Sequence, residues 1–211
     1  AGALGDVIED LDRGLAEIWK TVVKKGEADN TIFIFTSDNG PWINAPRRMY
    51  EDGFSKPYHV GAAGIFKGSK GTSYEGGHRV PFIIYWSKHT LENAVLTSPI
   101  SNIDVLPTLA QWAGARLPNR TLDGESIAGF LTVKNFSRPH KPIYYHNIVL
   151  EGVKDGDWKL RTTGKDSSLL VELYNLSWDP SERVNLADDE KYMPIKTRLI
   201  KLLKLFPEGR E

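Results

Sequence analysis

An apolar stripe at helical spacing runs through residues 3–25 of the chain. Its members are separated by intervals of three or four residues and are Leu4, Ile8, Leu11, Leu15, Ile18 and Val22. This spacing predicts an amphipathic helix with one apolar face, ended by Gly26. Because an apolar strand follows after a short loop, the opening segment indicates an α-then-β unit.

Two apolar runs, residues 31–36 and 80–86, predict buried strands. Neither run alternates with polar residues, which is typical of strands in a parallel sheet that helices cover on both faces. Residues 37–79 separate the two runs, and a loop of this length inside a compact domain is usually functional or disordered. Since ligands of open α/β sheets collect beyond the carboxyl ends of the strands, we expect a site in this loop.

The pattern changes beyond residue 138, where short strands replace the long apolar runs. Before that point, residues 101–114 predict a helix that ends at Gly114. After it, the pattern predicts a hairpin at Asp155-Gly156, a final amphipathic helix over 192–206, and strands at 143–150, 153–154, 157–162 and 169–174. We therefore predict an α/β portion over residues 1–138 and a small antiparallel α+β subdomain over residues 139–211.

The composition excludes several classes of protein. The chain has 211 residues with 27 Lys and Arg against 27 Asp and Glu, so no net charge favours a nucleic acid or an anionic membrane, and we expect neither partner. The absence of Cys excludes disulfides, thiolate metal sites and a cysteine nucleophile. No apolar run approaches the roughly 20 residues that a membrane-spanning helix needs.

Two stretches carry candidate chemistry. Asp38 and Asn39 follow the first strand and offer oxygen atoms, the ligands that Ca²⁺ and Mg²⁺ prefer. The same pair followed by a glycine also suits an ordinary turn. Further along, the stretch KGSKGTSYEGGHRVP at residues 67–81 is rich in glycine, which lets a backbone approach a ligand closely. Its Lys70 supplies a compact cation suited to an anionic oxygen, although the spacing is not that of a P-loop.

The long loop also holds candidates for contact with a substrate, since loops beyond strand ends line such pockets. They are Trp42, Arg47, Arg48 and His59. His78 is a further candidate, because a histidine can transfer protons near neutral pH. Glu75 and Arg79, which flank two glycines and this histidine, are interpreted as structural residues that form an internal ion pair or clamp the backbone.

The stretch TSDNG, followed by GSKGTSYEGGHRVPFIIYW, resembles the sulfatase family of alkaline-phosphatase-like α/β hydrolases. The likeness continues through SNIDVLPTLAQWAG, LDGESI, GDWKLR and LYNLSWDPSERVNLA, and so covers nearly all of this chain but only the C-terminal part of a sulfatase. The resemblance implies hydrolysis of a sulfated small molecule or sulfated sugar, with calcium and a formylglycine as cofactors. It also implies that Asp38 and Asn39 are two late calcium ligands, and that Lys70 contacts the sulfate ester, including its bridging oxygen.

The chain departs from the family in the residues that it lacks. The C/S-x-P-x-R motif that yields formylglycine is absent, and Ser137-Arg-Pro-His-Lys141 is only a near match. The early Asp pair of metal ligands is missing as well. We therefore expect a C-terminal fragment that is inactive alone and needs the N-terminal half of the same enzyme, in a periplasmic, extracellular or lysosomal compartment. Two alternatives stay open: a phosphomonoester or phosphodiester hydrolase of the same superfamily, and a non-catalytic anion-binding module.

Overall fold

The structure of the protein is a computed structural model that describes residues 2–53, 56–136, 141–164 and 168–206. The chain divides into two compact units. The α/β unit comprises Val7–Asp38 and Pro81–Pro139, and the sheet unit comprises Ala1–Asp6, Asn39–Val80 and His140–Glu211. The boundary predicted at residue 138, and most of the near match at 137–141, fall on residues 137–140, which lie outside the described residues.

Regular elements alternate along the described parts of the chain. The α-helices are α1 (Gly2–Lys24), α2 (Glu75–His78), α3 (Val105–Ala113), α4 (Ala128–Thr132) and α5 (Met193–Leu203). The strands are β1 (Ile32–Thr36), β2 (Phe82–Trp86), β3 (Ile143–His146), β4 (Leu150–Asp155), β5 (Trp158–Thr163) and β6 (Leu170–Asn175). Short 3₁₀ helices cover Ala28–Asn30, Arg47–Tyr50, Pro57–His59, Asn102–Asp104 and Glu190–Tyr192. The helix predicted over 3–25 and both apolar strands are confirmed to within two residues.

The two strands of the α/β unit pair antiparallel, with Ile34 opposite Ile84. The parallel pairing predicted for these strands is therefore wrong. An uninterrupted apolar run indicates that neighbouring elements bury both faces of the strand. It gives no information about the direction of the adjacent strand. On one face, Trp19 of α1 packs edge-on against Phe33, with ring centres 5.2 Å apart. On the other, Ile84 packs against the buried cluster of Ile127, Phe130 and Leu131.

α3 confirms the helix predicted over 101–114, and its start is fixed by side-chain hydrogen bonds. The Asp104 carboxylate accepts from the backbone N–H of Ser101 at 3.0 Å and from that of Glu125 at 2.9 Å. The first bond is part of a capping box on the 3₁₀ helix Asn102–Asp104, which leads directly into α3. Asp104 thus fixes the turn before α3 and also holds the later loop against it.

The sheet unit is built on a four-stranded antiparallel sheet in the order β3-β4-β5-β6, which confirms the predicted antiparallel character of the C-terminal part. β4 and β5 form the hairpin predicted at Asp155-Gly156. One face of the sheet packs on α5 through fully buried apolar side chains, namely Val153, Leu160, Leu173 and Leu199. Because side chains alternate along a strand, the neighbours Lys159, Arg161 and Glu172 point to the opposite face, where they are also buried.

Candidate active site

The segment that follows β1 carries the two predicted metal ligands. Asp38 is exposed and Asn39 is half-buried. The Asn39 amide nitrogen donates to the carbonyl of Gly40 at 2.9 Å. This bond orients the amide so that its oxygen, the atom that would bind a cation, points away from that carbonyl.

Two backbone hydrogen bonds fasten this segment to the glycine-rich loop at residues 67–79, called here the Lys70 loop. Gly40 N–H donates to Gly77 O, and Lys70 N–H donates to Pro41 O, both at 3.0 Å. A Cβ atom at residue 40 would lie 1.9 Å from Gly76 O, so only glycine permits this approach. The Lys70 ammonium lies 5.1 Å from the ring centre of Trp42, within the range of a cation–π interaction.

The Lys70 loop is closed on itself by short-range hydrogen bonds. Gly76 N–H donates to Lys67 O at 2.7 Å, which joins the two ends of the loop. Between those ends, the Thr72 hydroxyl donates to Ser69 O at 2.8 Å. Lys70 therefore projects, exposed, from a loop whose backbone is restrained on both sides.

A buried ionic group, called here the Lys159 cluster, attaches the Lys70 loop to the sheet. It comprises Glu75 and Arg79 of the loop, Tyr145 and Lys159 of the sheet, and Glu182. The fully buried Lys159 Nζ lies 2.9 Å from Glu75 Oε1 and 3.0 Å from Glu182 Oε1. Glu75 N–H donates to Glu182 Oε2 at 2.7 Å, and the Tyr145 hydroxyl donates to Glu75 Oε1 at 3.2 Å. Arg79 Nε lies 3.1 Å from Glu75 Oε2, which confirms the predicted ion pair.

The pKa values of the two carboxyl groups in the Lys159 cluster are shifted in opposite directions. Burial by itself would raise the pKa of Glu75, but Lys159 and Arg79 outweigh it and the pKa is lowered. Burial raises the pKa of Glu182, although Lys159 opposes the rise. Its Oε1 contacts Lys159 by charge alone, without hydrogen-bond geometry. Glu75 is accordingly the better-compensated anion of the pair.

A second group, called here the Glu172 cluster, lies on the same face of the sheet. The Glu172 carboxylate accepts from the hydroxyls of Tyr74 at 2.9 Å and Tyr174 at 2.7 Å, and it pairs with Arg161. The Arg161 guanidinium stacks 3.7 Å from the ring centre of Tyr74 and donates to Ser73 Oγ at 2.6 Å. Burial and the hydrogen bond to Glu172 raise the pKa of Tyr74 to about 12. Residues 73–79 are thus held to the sheet at several points.

Comparison with known sequence families identifies the chain. The sulfatase family matches residues 3–115, and the C-terminal region of N-sulphoglucosamine sulphohydrolase matches residues 61–207. The chain belongs to the sulfatase family. The resemblance carried by the stretches around Asp38 and Lys70 is therefore confirmed.

Curated sulfatases align with the chain over part of their own length. Steryl-sulfatase of Rattus norvegicus is 37% identical over 154 residues, which is 72% of this chain and 26% of that protein. Arylsulfatase A of Bos taurus is 31% identical over 97% of this chain and 43% of its own length. N-acetylgalactosamine-6-O-sulfatase of Bacteroides thetaiotaomicron is 34% identical over 88% of this chain and 38% of its own length. The chain thus spans less than half the length of these sulfatases.

Solved structures share the fold. One from a study of glycosaminoglycan metabolism by Bacteroides thetaiotaomicron has a TM-score of 0.74 and 29% identity over 95% of this chain and 43% of its own. Another, solved with k-i-k-neocarrahexaose, has a TM-score of 0.71 and 28% identity over 92% and 40%. The phosphonate monoester hydrolase of Agrobacterium radiobacter matches at a TM-score of 0.66 with 22% identity over 93% and 39%. The last shows the fold alone, and together they confirm the predicted α/β class for this sulfatase-family chain.

The other predicted site residues make local contacts. Arg47 and Arg48 are exposed on a 3₁₀ helix. His59 accepts from Lys56 N–H through Nδ1 at 3.3 Å and packs on Tyr58. His78, which is only partly exposed, packs edge-on against Tyr145, and partial desolvation together with the charge of Lys159 lowers its pKa. Within the described residues, hydrogen bonds and ring contacts join Lys70 to Pro41 and Trp42 rather than to these four side chains.

Two more features bear on this member of the sulfatase family. Among the residues that the structure describes, no group of three or more His, Asp or Glu side chains is arranged to hold a metal ion. None of the helices in that part of the chain is both long and apolar enough to cross a membrane. The side-chain oxygen atoms of Asp38 and Asn39 are of the type that binds calcium. Calcium takes about six to eight ligands, so these two residues supply only part of a site.

Sequence reasoning predicted the Glu75–Arg79 pair but missed the rest of both ionic clusters. Lys159 and Arg161 alternate with apolar residues in β5, a pattern that is typical of a half-exposed strand. The available signal was the high share of charged residues in GDWKLR, where three of six are charged, in a stretch that carries the family resemblance. Partners such as Glu75 are 84 positions away in sequence from Lys159, so no local pattern connects them.

Proposed function

We propose that the chain is the C-terminal part of a sulfatase that hydrolyses a sulfate ester, with Lys70 assisting departure of the alcohol. The observation that carries this proposal is the attachment of the Lys70 loop to the segment after β1, through the Gly40–Gly77 and Lys70–Pro41 hydrogen bonds. It supports a shared site for Lys70 and the segment that begins at Asn39. Membership of the sulfatase family supports the class of reaction.

Lys70 has the properties that this role requires. Its side chain is exposed, so a substrate can reach it, and the Trp42 ring attracts and orients its ammonium group. As the S–O bond to the alcohol breaks, negative charge develops on the bridging oxygen. A charged N–H donor aimed at that oxygen stabilises the developing charge and can protonate the departing alkoxide.

Asp38 and Asn39 would supply part of a calcium site, and the other ligands would come from outside these residues. When bound, the ion would supply positive charge that compensates the sulfuryl oxygens. The nucleophile implied by the family resemblance, a formylglycine, would come from the N-terminal half of the enzyme. The Asp38 carboxylate would contribute negative charge to the site, whereas the Asn39 amide would bind the ion without adding charge.

Exposed apolar surface supports a role for that N-terminal half as a partner. Apolar residues of α1 stay exposed, including Val7 at 64% and Ile8 at 55%. Ile83 of β2 is 62% exposed. Exposed apolar side chains on both a helix and a strand favour a surface that other protein covers.

The substrate class is a sulfated small molecule or a sulfated sugar. Support comes from one relative named N-acetylgalactosamine-6-O-sulfatase and from a structural neighbour solved with k-i-k-neocarrahexaose. Arg47, Arg48, His59 and His78 are proposed to contribute to substrate binding. A periplasmic, extracellular or lysosomal location stays a prediction.

The test is Lys70→Ala in the full-length protein, assayed on sulfate esters with good and poor leaving groups. We expect kcat to fall about 100-fold or more, and further for the poorer leaving group, because the lost donor acts on the departing oxygen. Lys88→Ala is the control, since Lys88 is an exposed lysine that pairs with Asp29 at the surface. Equal turnover by Lys70→Ala and wild type on the poor leaving group would refute the role.

The same assay separates the alternatives. Faster turnover of a phosphate ester than of the matched sulfate ester would favour the phosphoester hydrolase. The chain alone, with calcium added, is expected to be inactive. Saturable binding of sulfate by an inactive full-length protein would favour the anion-binding module.

A further inference from the structure

The Lys70 loop is held on the sheet by charged groups where apolar side chains could have served. Lys159 and Glu182 are each 0% exposed, and Glu75 is 4% exposed. Burial of charge is unfavourable unless each ion is paired and hydrogen-bonded, and well-packed apolar replacements of such groups are often equally stable. Stability alone therefore does not account for this arrangement. Charged hydrogen bonds differ from apolar packing in that they define a direction and a distance.

Glu182 is presented to the loop by a backbone conformation that is unfavourable for a residue with a side chain. Its φ is +51°, in the left-handed region. The turn around it is held by the Asp179 carboxylate, which accepts from the N–H groups of Arg183 and Val184, each at 2.9 Å. The turn thus directs the Glu182 carboxylate inward, where it accepts from Glu75 N–H.

Glu75 connects this buried group to Lys70 through short backbone links. It is the first residue of α2, and the two glycines that follow make the closing contacts of the loop. Gly76 N–H donates to Lys67 O, and Gly77 O accepts from Gly40 N–H. Because Lys70 lies between Lys67 and α2 in a loop closed in this way, its position depends on where α2 is held.

We propose that Lys159 is a positioning residue for Lys70: its buried ammonium, bridging Glu75 and Glu182, sets the place of the loop that carries Lys70. The catalytic consequence rests on the proposed function, whereas the positioning itself does not. The residue that acts on the substrate is then presented by a strand of the C-terminal sheet, 89 positions later in the sequence.

The direct test is amide hydrogen exchange in Lys159→Met, which keeps most of the length of the unbranched side chain and removes the charge. We expect the amides of Lys70, Gly40 and Gly76 to exchange about tenfold to a hundredfold faster, because the charged hydrogen bond to Glu75 that holds α2 and the ion pair with Glu182 are lost. Lys154→Met is the matched control, since Lys154 is a buried lysine on the adjacent strand whose Nζ donates to Gly156 O. Wild-type exchange at these amides in a folded Lys159→Met protein would overturn the inference.

The second test uses the full-length protein and asks whether the defect resembles that of Lys70→Ala. In Lys159→Met we expect kcat to fall about tenfold or more, with a larger loss for a poor leaving group, since a displaced ammonium no longer reaches the bridging oxygen. A purely structural defect would reduce turnover of both esters by the same factor. Equal losses on the two esters, in a protein where Lys70→Ala does discriminate between them, would overturn the positioning role. If Lys70→Ala loses the same factor on both esters, the proposed function fails. Hydrogen exchange alone then decides whether Lys159 positions Lys70.

Tyr145→Phe keeps the proposal testable if Lys159→Met does not fold. This change removes the hydroxyl that donates to Glu75 Oε1. It leaves the aromatic ring in place, with Lys159 Nζ 4.3 Å from the ring centre. We expect exchange at Lys70 and Gly40 to accelerate about threefold to tenfold, in the same direction as in Lys159→Met. Unchanged exchange in Tyr145→Phe, with Lys159→Met unfolded, would also overturn the inference.

Discussion

Replacing Gly40 with alanine tests whether the close approach of Gly40 to the Lys70 loop sets the reach of Lys70. The added Cβ would lie 1.9 Å from Gly76 O, 2.9 Å from Gly76 C and 3.3 Å from Gly77 Cα, all of them backbone atoms. The two backbones must separate by about 1 Å to relieve this overlap. The 3.0 Å hydrogen bond from Gly40 N–H to Gly77 O would then stretch beyond the range of a normal hydrogen bond.

Both function and stability should respond to that displacement. A catalytic group misplaced by about 1 Å can cost on the order of 100-fold in rate, so we expect a loss of that size in kcat of the full-length protein on a sulfate ester. Overpacking should lower the free energy of unfolding by about 1–3 kcal/mol, measured by urea denaturation. Hydrogen exchange at the Lys70 amide, which donates to Pro41 O, should accelerate in parallel.

Gly14→Ala is the matched control for the same chemical change. Gly14 lies in the middle of α1, and an added Cβ there would meet nothing within 4 Å. We expect unchanged kcat and a gain of about 0.5–1 kcal/mol in stability, because alanine favours the helix. Wild-type kcat in Gly40→Ala, with the exchange of the Lys70 amide also unchanged, would refute the inference that this contact positions Lys70.

Two further predictions concern the sheet unit. Leu160→Ala removes a fully buried side chain from the core against α5. It should lower the free energy of unfolding, measured by urea denaturation, by about 2–5 kcal/mol. A loss below about 1 kcal/mol would mean that the surrounding side chains close the cavity. Alkaline pH should destabilise the protein. Folding raises the pKa of Tyr74 from 10.0 to about 12, so the neutral phenol contributes to the free energy of unfolding in full below pH 10. This contribution is lost as the pH rises towards 12. Unfolding measurements over this pH range should show a shallower decline in Tyr74→Phe than in wild type, and identical slopes would contradict the assignment.

Local patterns determined the regular elements. The apolar stripe predicted α1 because intervals of three and four residues place side chains on one helical face whatever the surroundings. The Asp155-Gly156 pair predicted the hairpin between β4 and β5 because turn chemistry is confined to neighbouring residues. The stretches around Asp38 and Lys70 likewise indicated the sulfatase family, since their residue types and order are visible without coordinates.

The tertiary structure decided what those elements contact. The apolar run of β1 was consistent with either strand direction, because burial does not depend on the direction of the neighbour, and the antiparallel pairing with β2 appeared only in the fold. That residues 39–80 belong to the sheet unit could not be predicted from the sequence either. It depends on contacts such as Lys159 with Glu75, between residues that are 84 positions apart. A charged residue in a strand carries no information about its partner, since the pairing that makes its burial favourable is created only when distant segments pack together.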